Sequence, residues 1–371
     1  MSPAPQVIGI VGSAGAYGRW LHRFFEQQMG MQVIGHDPAD AASHTPEQLL
    51  ERAEVLVFSA PIRQTPALIA QYVQQSAGRE AGRLWLDVTS VKQAPVQAML
   101  ASQAEVVGLH PMTAPPKSPT LKGRVMVVCQ ARLQHWQPWL AGLCSALQAE
   151  CVQASPEHHD KVMALVQAMV HATHLAQAGV LRDYAPELGS LAALLPYRSA
   201  SFELDTAIIA RILSLNPAIY EDIQFGNPHV LPMLERLITQ LQTLQAQVAR
   251  GDDDARAAFR QQLLLDNRDA LGETSVAEGN YTFERVGYLL ADLTERQALS
   301  VHLPEDRAGS LRALLHVFEQ HGISLASIHS SRTPTGEVHF RIGFVPGSDA
   351  AAITLAAAAV DASGIGRVLL R

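Results

Sequence analysis

His110 closes a short apolar run at 106–109 and is followed at once by Pro111. A histidine directly after a strand-like run lies where open α/β sheets bind their ligands. Its imidazole is also the side chain best matched in pKa to take a proton from a hydroxyl near neutrality. Ser90, in the stretch Asp87-Val-Thr-Ser90-Val-Lys92 after another apolar run, can orient that hydroxyl or the imidazole. The plainer alternative for His110 is a turn residue with a satisfied hydrogen bond, and position by itself leaves both open.

A second cluster lies at the start of the chain, in Gly9-Ile-Val-Gly12-Ser13-Ala-Gly15-Ala16-Tyr17-Gly18, with a helix-like stretch after it. Glycines at such a turn let the backbone approach a pyrophosphate, whose charge is stabilised by the helix N-terminus. The usual GxGxxG pattern would need glycine at Ser13, so the motif is imperfect. Its context adds weight. The run at 32–36 ends in Asp37, placed where a carboxylate receives the adenosine ribose hydroxyls, and no arginine follows closely to take a 2′-phosphate. NAD is therefore expected rather than NADP. Ser59 and Pro61, at the end of a third run, belong on the nicotinamide side. Gly12, Ser13, Gly15, Ala16, Tyr17, Gly18, Asp37, Ser59 and Pro61 are the expected cofactor contacts. The alternative is a doubly wound domain that has lost its ligand.

The elements that must position these residues fall into three regions. Over residues 1–155, short β-branched runs at 7–11, 32–36, 55–59, 84–88, 106–109 and 125–129 alternate with helix-like stretches, which predicts a Rossmann-type doubly wound parallel sheet covered on both faces. Over 156–294 strand runs vanish and long helical periodicities take over, at 161–184, 203–215 and 229–250. Within the first, Val162, Leu165, Val166, Met169, Val170 and Thr173 form an apolar stripe. Such helices bury their stripes against one another and across a dimer axis. Over 297–371 the order β-α-β-β-α-β predicts a ferredoxin-like α+β module.

The chain has 371 residues, enough for two or three domains, and its 48% apolar and 17% charged composition is that of a globular protein. A formal charge of −7 argues against nucleic acid as a partner and requires local arginines for any anionic substrate. No apolar run approaches the roughly 18 residues of a membrane helix. No signal peptide is read at the N-terminus, and three cysteines without paired spacing suggest reduced thiols in a cytoplasmic protein. His159, His171 and His174 lack zinc spacing, so no metal is expected.

The stretches Asp87–Lys92, Gly108-Leu-His110-Pro111-Met112 with Pro115, Glu157-His-His159-Asp160 leading to Gln167 and His171, Ala210-Arg211-Ile212, Asn216-Pro217 and Tyr220-Glu-Asp222 together resemble prephenate dehydrogenases over roughly residues 5–230. The resemblance implies NAD-dependent oxidation and decarboxylation of prephenate, with His110 as the catalytic histidine, Ser90 orienting the hydroxyl, Arg211 holding a substrate carboxylate and His171 near the substrate. Two departures stand out. Thr113-Ala114 replaces the family's usual Phe-Gly, and Glu203 stands where some members carry a second arginine. That second change bears on the choice between prephenate and arogenate. On the residues alone, Arg211 on a helix beside Leu204, Ala207 and Ile208 needs an anion, either a substrate carboxylate or a structural acid.

Further on, Asp306-Arg-Ala-Gly309-Ser310-Leu311 and Ser331-Arg332 resemble an ACT domain, a family that binds small amino acids. The resemblance implies an aromatic amino acid as effector, with Asp306, Gly309, Ser310, Leu311 and Ser331 as contacts. The alternative is a module that only mediates dimerisation. The rivals for the whole chain are an ACT-tailed dehydrogenase of phosphorylated 2-hydroxy acids, whose substrate domain would be split around the cofactor domain, and a non-catalytic amino-acid sensor on a Rossmann scaffold.

Overall fold

The computed structural model describes residues 7–116, 118–294, 298–303, 307–332 and 338–370. Two compact units divide it, Met1–Ala246 and Gln247–Arg371.

The first unit is built on a seven-stranded sheet in the order β2-β1-β3-β4-β5-β6-β7. Its strands are β1 (Val7–Val11), β2 (Gln32–His36), β3 (Val55–Phe58), β4 (Leu84–Asp87), β5 (Glu105–Pro111), β6 (Val125–Arg132) and β7 (Glu150–Gln153). Helices α1 (Ala16–Met29), α2 (Pro46–Arg52), α3 (Thr65–Ser76), α4 (Gln93–Leu100) and α5 (Gln137–Leu147) connect them. The first five strands are parallel, as the alternating pattern predicts. β6 departs from the expected parallel sheet and runs antiparallel to β5. No helix lies between them among the described residues, and a strand that returns beside its predecessor without a crossover must reverse direction. β7, a short and largely exposed edge strand without an apolar run, escapes sequence detection.

The period of two divides the buried strands between the faces. Val55 and Val57 point toward Trp20, Phe24 and Phe25 of α1 and Trp139 of α5. Leu56 and Phe58 point to the opposite face, with Leu49 of α2, Ile69 and Tyr72 of α3 and Met99 of α4.

Beyond the sheet come α6 (Pro156–Met163), α7 (Val170–Leu188), α8 (Leu191–Leu194), α9 (Ala200–Ser214), α10 (Pro217–Gly226) and α11 (Val230–Arg250). Ser155 caps α6 by accepting from the His158 N–H at 3.1 Å, and Pro156 fits the first turn. A π-helical turn, Ala164–Met169, joins α6 to α7 where one uninterrupted helix was expected. It also disrupts the expected stripe. Ala164 and Ala168 are the buried residues of this turn, whereas Leu165 and Val166 are 52% and 53% exposed. The extra residue in a π turn rotates the phase of every side chain after it.

The second unit contains α12 (Asp253–Phe259), α13 (Asp266–Leu271) and α14 (Glu273–Thr294), then β8 (Ala298–Leu303), α15 (Ser310–Gln320), β9 (Leu325–Arg332), β10 (Val338–Phe344), α16 (Ala350–Ser363) and β11 (Arg367–Leu370). The four strands form one antiparallel sheet in the order β11-β8-β10-β9. Val301, Phe340 and Ile342 pack against Leu314 and Phe318 of α15 and Val360 of α16.

Candidate functional site

Strand register gathers the candidate residues on one edge of the parallel sheet. Val11, Phe58, Asp87 and Gly108 lie in one row across β1, β3, β4 and β5. Gly12 and Ser59 follow the carboxyl ends of β1 and β3, Ser90 lies three residues beyond β4, and His110 lies in the last two residues of β5, which continues past this row. Three strand steps separate Gly12 from His110, about 14 Å at the usual spacing of ~4.8 Å. Open α/β sheets bind ligands along this edge.

The glycine turn is closely packed. Gly12 adopts φ +84°, and a Cβ there would come within 2.5 Å of the Ser59 carbonyl oxygen. A Cβ on Gly18 would collide with the carbonyl oxygen of Gly12. Ser13 at the position of the usual second glycine is accommodated because Gly35 of β2 gives its side chain room. Asp37 receives the Ala14 N–H at 2.9 Å and the Ala39 N–H at 2.9 Å, tying the end of β2 to the turn. The turn then opens α1 with exposed Gly15 and Ala16, no side-chain cap and no acid in the first turn. Uncapped N–H groups at the positive end of a 14-residue helix suit a phosphate, so the residues present fit a dinucleotide. Tyr17 is half-buried and donates its hydroxyl to the Thr113 carbonyl at 3.2 Å, tying α1 to the loop after His110. Ser59 is held by its N–H to Val11 O at 2.8 Å, and Pro61 is exposed.

His110 is 2% exposed. Its Nδ1 stands 2.8 Å from Nε2 of His159, whose Nδ1 lies 2.7 Å from Asp160 Oδ1. Asp160 also accepts the Lys92 N–H at 2.8 Å and the Gln93 N–H at 2.9 Å at the start of α4. Behind His110, the fully buried Lys92 ammonium is paired with the fully buried Asp87 carboxylate and donates to the Leu109 carbonyl at 2.8 Å. Thr89 donates its hydroxyl to Asp87 at 2.6 Å. Burial holds the His110 pKa well below 6.5, and the neighbouring His159 and Lys92 push the same way. The imidazole is thus neutral, a base at physiological pH. Ser90 is half-buried and is not a hydrogen-bond partner of the ring.

A second group forms on the helices. The His171 ring meets Tyr220 edge-on at 4.7 Å between centroids, and burial lowers the His171 pKa. Burial raises the Tyr220 pKa and the Arg211 charge opposes that shift, which marks Arg211 as a neighbour. His171 Nδ1 and Gln167 Oε1, one turn apart, are buried without a partner among the described residues. Arg211 lies on the expected face of α9, and that face is exposed. The buried face of α9 is Thr206, Ile209 and Ile212, while Arg211 stands on the outward face with Ala207 and Ile208. It forms no ion pair among the described residues. Glu203 is paired with Arg198 at 3.2 Å, so its negative charge is compensated locally. His174 pairs with Asp205 at 3.3 Å and joins α7 to α9.

In the second unit, Gly309 (φ +96°) opens α15, and the Ser310 hydroxyl accepts the Arg307 N–H at 3.1 Å. Gly309, Leu311, Leu315, Phe318, Ile323 and Leu325 border a cleft of about 830 Å³. Asp306 lies outside the described residues, and Ser331 is described only as a β9 residue paired with His339.

Sequence reasoning did not connect His159, Asp160 and Lys92 to His110. The available signal was Ser155-Pro156, a helix start that fixes the phase of His159 and Asp160 on α6.

Residues 37–147 match the family described as the nucleotide-binding domain of prephenate dehydrogenase, and residues 155–263 match its dimerization domain. The chain is 30% identical over 281 residues to 4-amino-4-deoxyprephenate dehydrogenase of Streptomyces pristinaespiralis, covering 71% of this chain and 90% of that one. It is 26% identical over 263 residues to a probable arogenate/prephenate dehydrogenase of Methanocaldococcus jannaschii, covering 66% of this chain and 57% of that relative. Two further curated relatives are likewise spanned over only 66% and 59% of their length. Among solved structures, prephenate dehydrogenase of Aquifex aeolicus in complex with hydroxyphenyl propionate and NAD+ shares the fold, with TM-score 0.57, 17% identity and coverage of 72% of this chain and 99% of that one.

Proposed function

The chain belongs to the prephenate dehydrogenase family, and on that premise we propose that it oxidises and decarboxylates prephenate to 4-hydroxyphenylpyruvate with NAD. The observation that carries this is the buried, neutral His110 at the carboxyl edge of the sheet, in line with an uncapped glycine turn. When bound, NAD would supply the hydride acceptor. Gly12, Ser13, Gly15, Ala16, Tyr17 and Gly18 would hold its pyrophosphate, Asp37 its adenosine ribose, and Ser59 and Pro61 would serve its nicotinamide. His110 Nε2 takes the ring hydroxyl proton, and Ser90 orients that hydroxyl. Arg211 holds a substrate carboxylate bidentately, with His171 beside it. Loss of the ring carboxylate as carbon dioxide makes the ring aromatic, so the protein's main task is alignment.

Three functional segments follow: a cofactor domain over 1–155, a helical substrate and dimerisation domain over 156–294, and an ACT module over 297–371. The extensive exposed apolar surface of the helices supports a homodimer. In the C-terminal module, the cleft beginning at Gly309 suits an aromatic amino acid, its carboxylate at the α15 N-terminus by Leu311 and its ring near Phe318, with Ser310 proposed as a further contact through its hydroxyl. The resemblance to an ACT domain adds Asp306 and Ser331 as proposed effector contacts. NADH formation measured with prephenate, arogenate and 4-amino-4-deoxyprephenate, each with NAD or NADP and with or without tyrosine or phenylalanine, tests every part. Turnover confined to arogenate would move the substrate. Indifference to both amino acids would remove the effector.

A further inference from the structure

We propose that His159 and Asp160 are positioning residues for His110, holding its imidazole in the tautomer whose bare nitrogen, Nε2, faces the substrate. This rests on the reading of His110 as the base.

The proton positions follow from the far end of the chain. Asp160 receives two backbone donors, the Lys92 N–H on Oδ1 at 2.8 Å and the Gln93 N–H on Oδ2 at 2.9 Å, and a ring nitrogen of His159 stands 2.7 Å from Oδ1. A carboxylate with both oxygens occupied by donors is ionised and acts only as an acceptor. His159 must then carry its proton on Nδ1. Burial, together with the nearby Lys92 ammonium, lowers the His159 pKa although Asp160 and Asp87 oppose the shift, which favours the neutral ring, whose Nε2 is then a lone pair. Facing that lone pair at 2.8 Å, His110 must carry its own proton on Nδ1. Its Nε2 is left unprotonated. When His110 accepts a proton there, the resulting imidazolium keeps its Nδ1–H bond to His159, backed by the Asp160 charge. The other titratable groups around the pair are Lys92 and Asp87, which are paired with each other, and Cys129 of β6, whose thiol burial pushes up to about 12 and keeps neutral. His229 reaches the same corner through Gln93 Nε2 at 3.1 Å.

A purely structural His159 would leave the His110 tautomer indifferent to its replacement. Long-range ¹⁵N–¹H spectra of the full chain read that tautomer directly, without substrate. In the unmodified protein His110 should be protonated at Nδ1. In His159→Leu the Nδ1–H population should fall, and kcat should drop by about 10²-fold with KM changed little, because the base loses its orientation. His159→Gln places an amide oxygen near the lost lone pair and should recover much of both signals. A His110 protonated at Nε2 in the unmodified protein overturns the proposal, as does an unchanged kcat in His159→Leu. If His159→Leu does not fold, the unmodified spectrum and His159→Gln decide. Absence of turnover by the unmodified protein on all three substrates would instead defeat the functional reading, while the spectra would still settle the tautomer.

Discussion

His110 gathers its properties from several directions. Burial keeps it neutral, β5 carries it to the sheet edge, and His159 occupies Nδ1. His110→Asn should therefore lower kcat by about 10²–10⁴-fold and leave KM within a small factor, measured by steady-state kinetics. Equal losses in both would make it a binding residue. Its lowered pKa also fixes a sign. The base stays unprotonated as pH falls through 6.5, so the acid limb of kcat/KM should lie below that value. A limb at or above it would contradict a buried base. His110 was legible in the sequence because an apolar run ending in histidine marks a strand edge. Arg211 was legible on the face it shares with Ala207 and Ile208, but the exposure of that face was not, because the periodicity of α9 does not say which apolar side is covered.

At the scale of elements, the short connections did most of the positioning. The β4–α4 segment holds Asp87, Thr89, Ser90 and Lys92 together, and its buried ion pair braces the Leu109 carbonyl next to His110. Lys92→Met would leave Asp87 charged and fully buried, and should cost about 3–5 kcal/mol in urea unfolding. The double change Asp87→Asn with Lys92→Met should cost less than the single one. A negligible single effect would show that water reaches the pair. The parallel strands β1 to β5 and the glycine turn were readable because buried β-branched runs and glycines carry strong local signals. The reversal at β6, the edge strand β7 and the π turn were not. The first depends on a missing crossover, the second has no apolar pattern, and the third alters phase without altering composition.

For the molecule as a whole, the described helices leave much apolar surface uncovered. Tyr197 and Phe225 are each 88% exposed, and no residue of α7 is buried. Exposure on this scale marks an association surface. Sedimentation equilibrium should give twice the chain mass, and a monomer would contradict the dimer and the placement of its surface on the helices. No described helix is long and apolar enough to cross a membrane.

Hydride transfer coupled to loss of the ring carboxylate fixes the stoichiometry of the products. With prephenate and NAD, the unmodified protein should release NADH, carbon dioxide and 4-hydroxyphenylpyruvate in equal amounts, and His110→Asn should slow all three together. NADH without carbon dioxide, or no NADH from prephenate at all, would contradict the account.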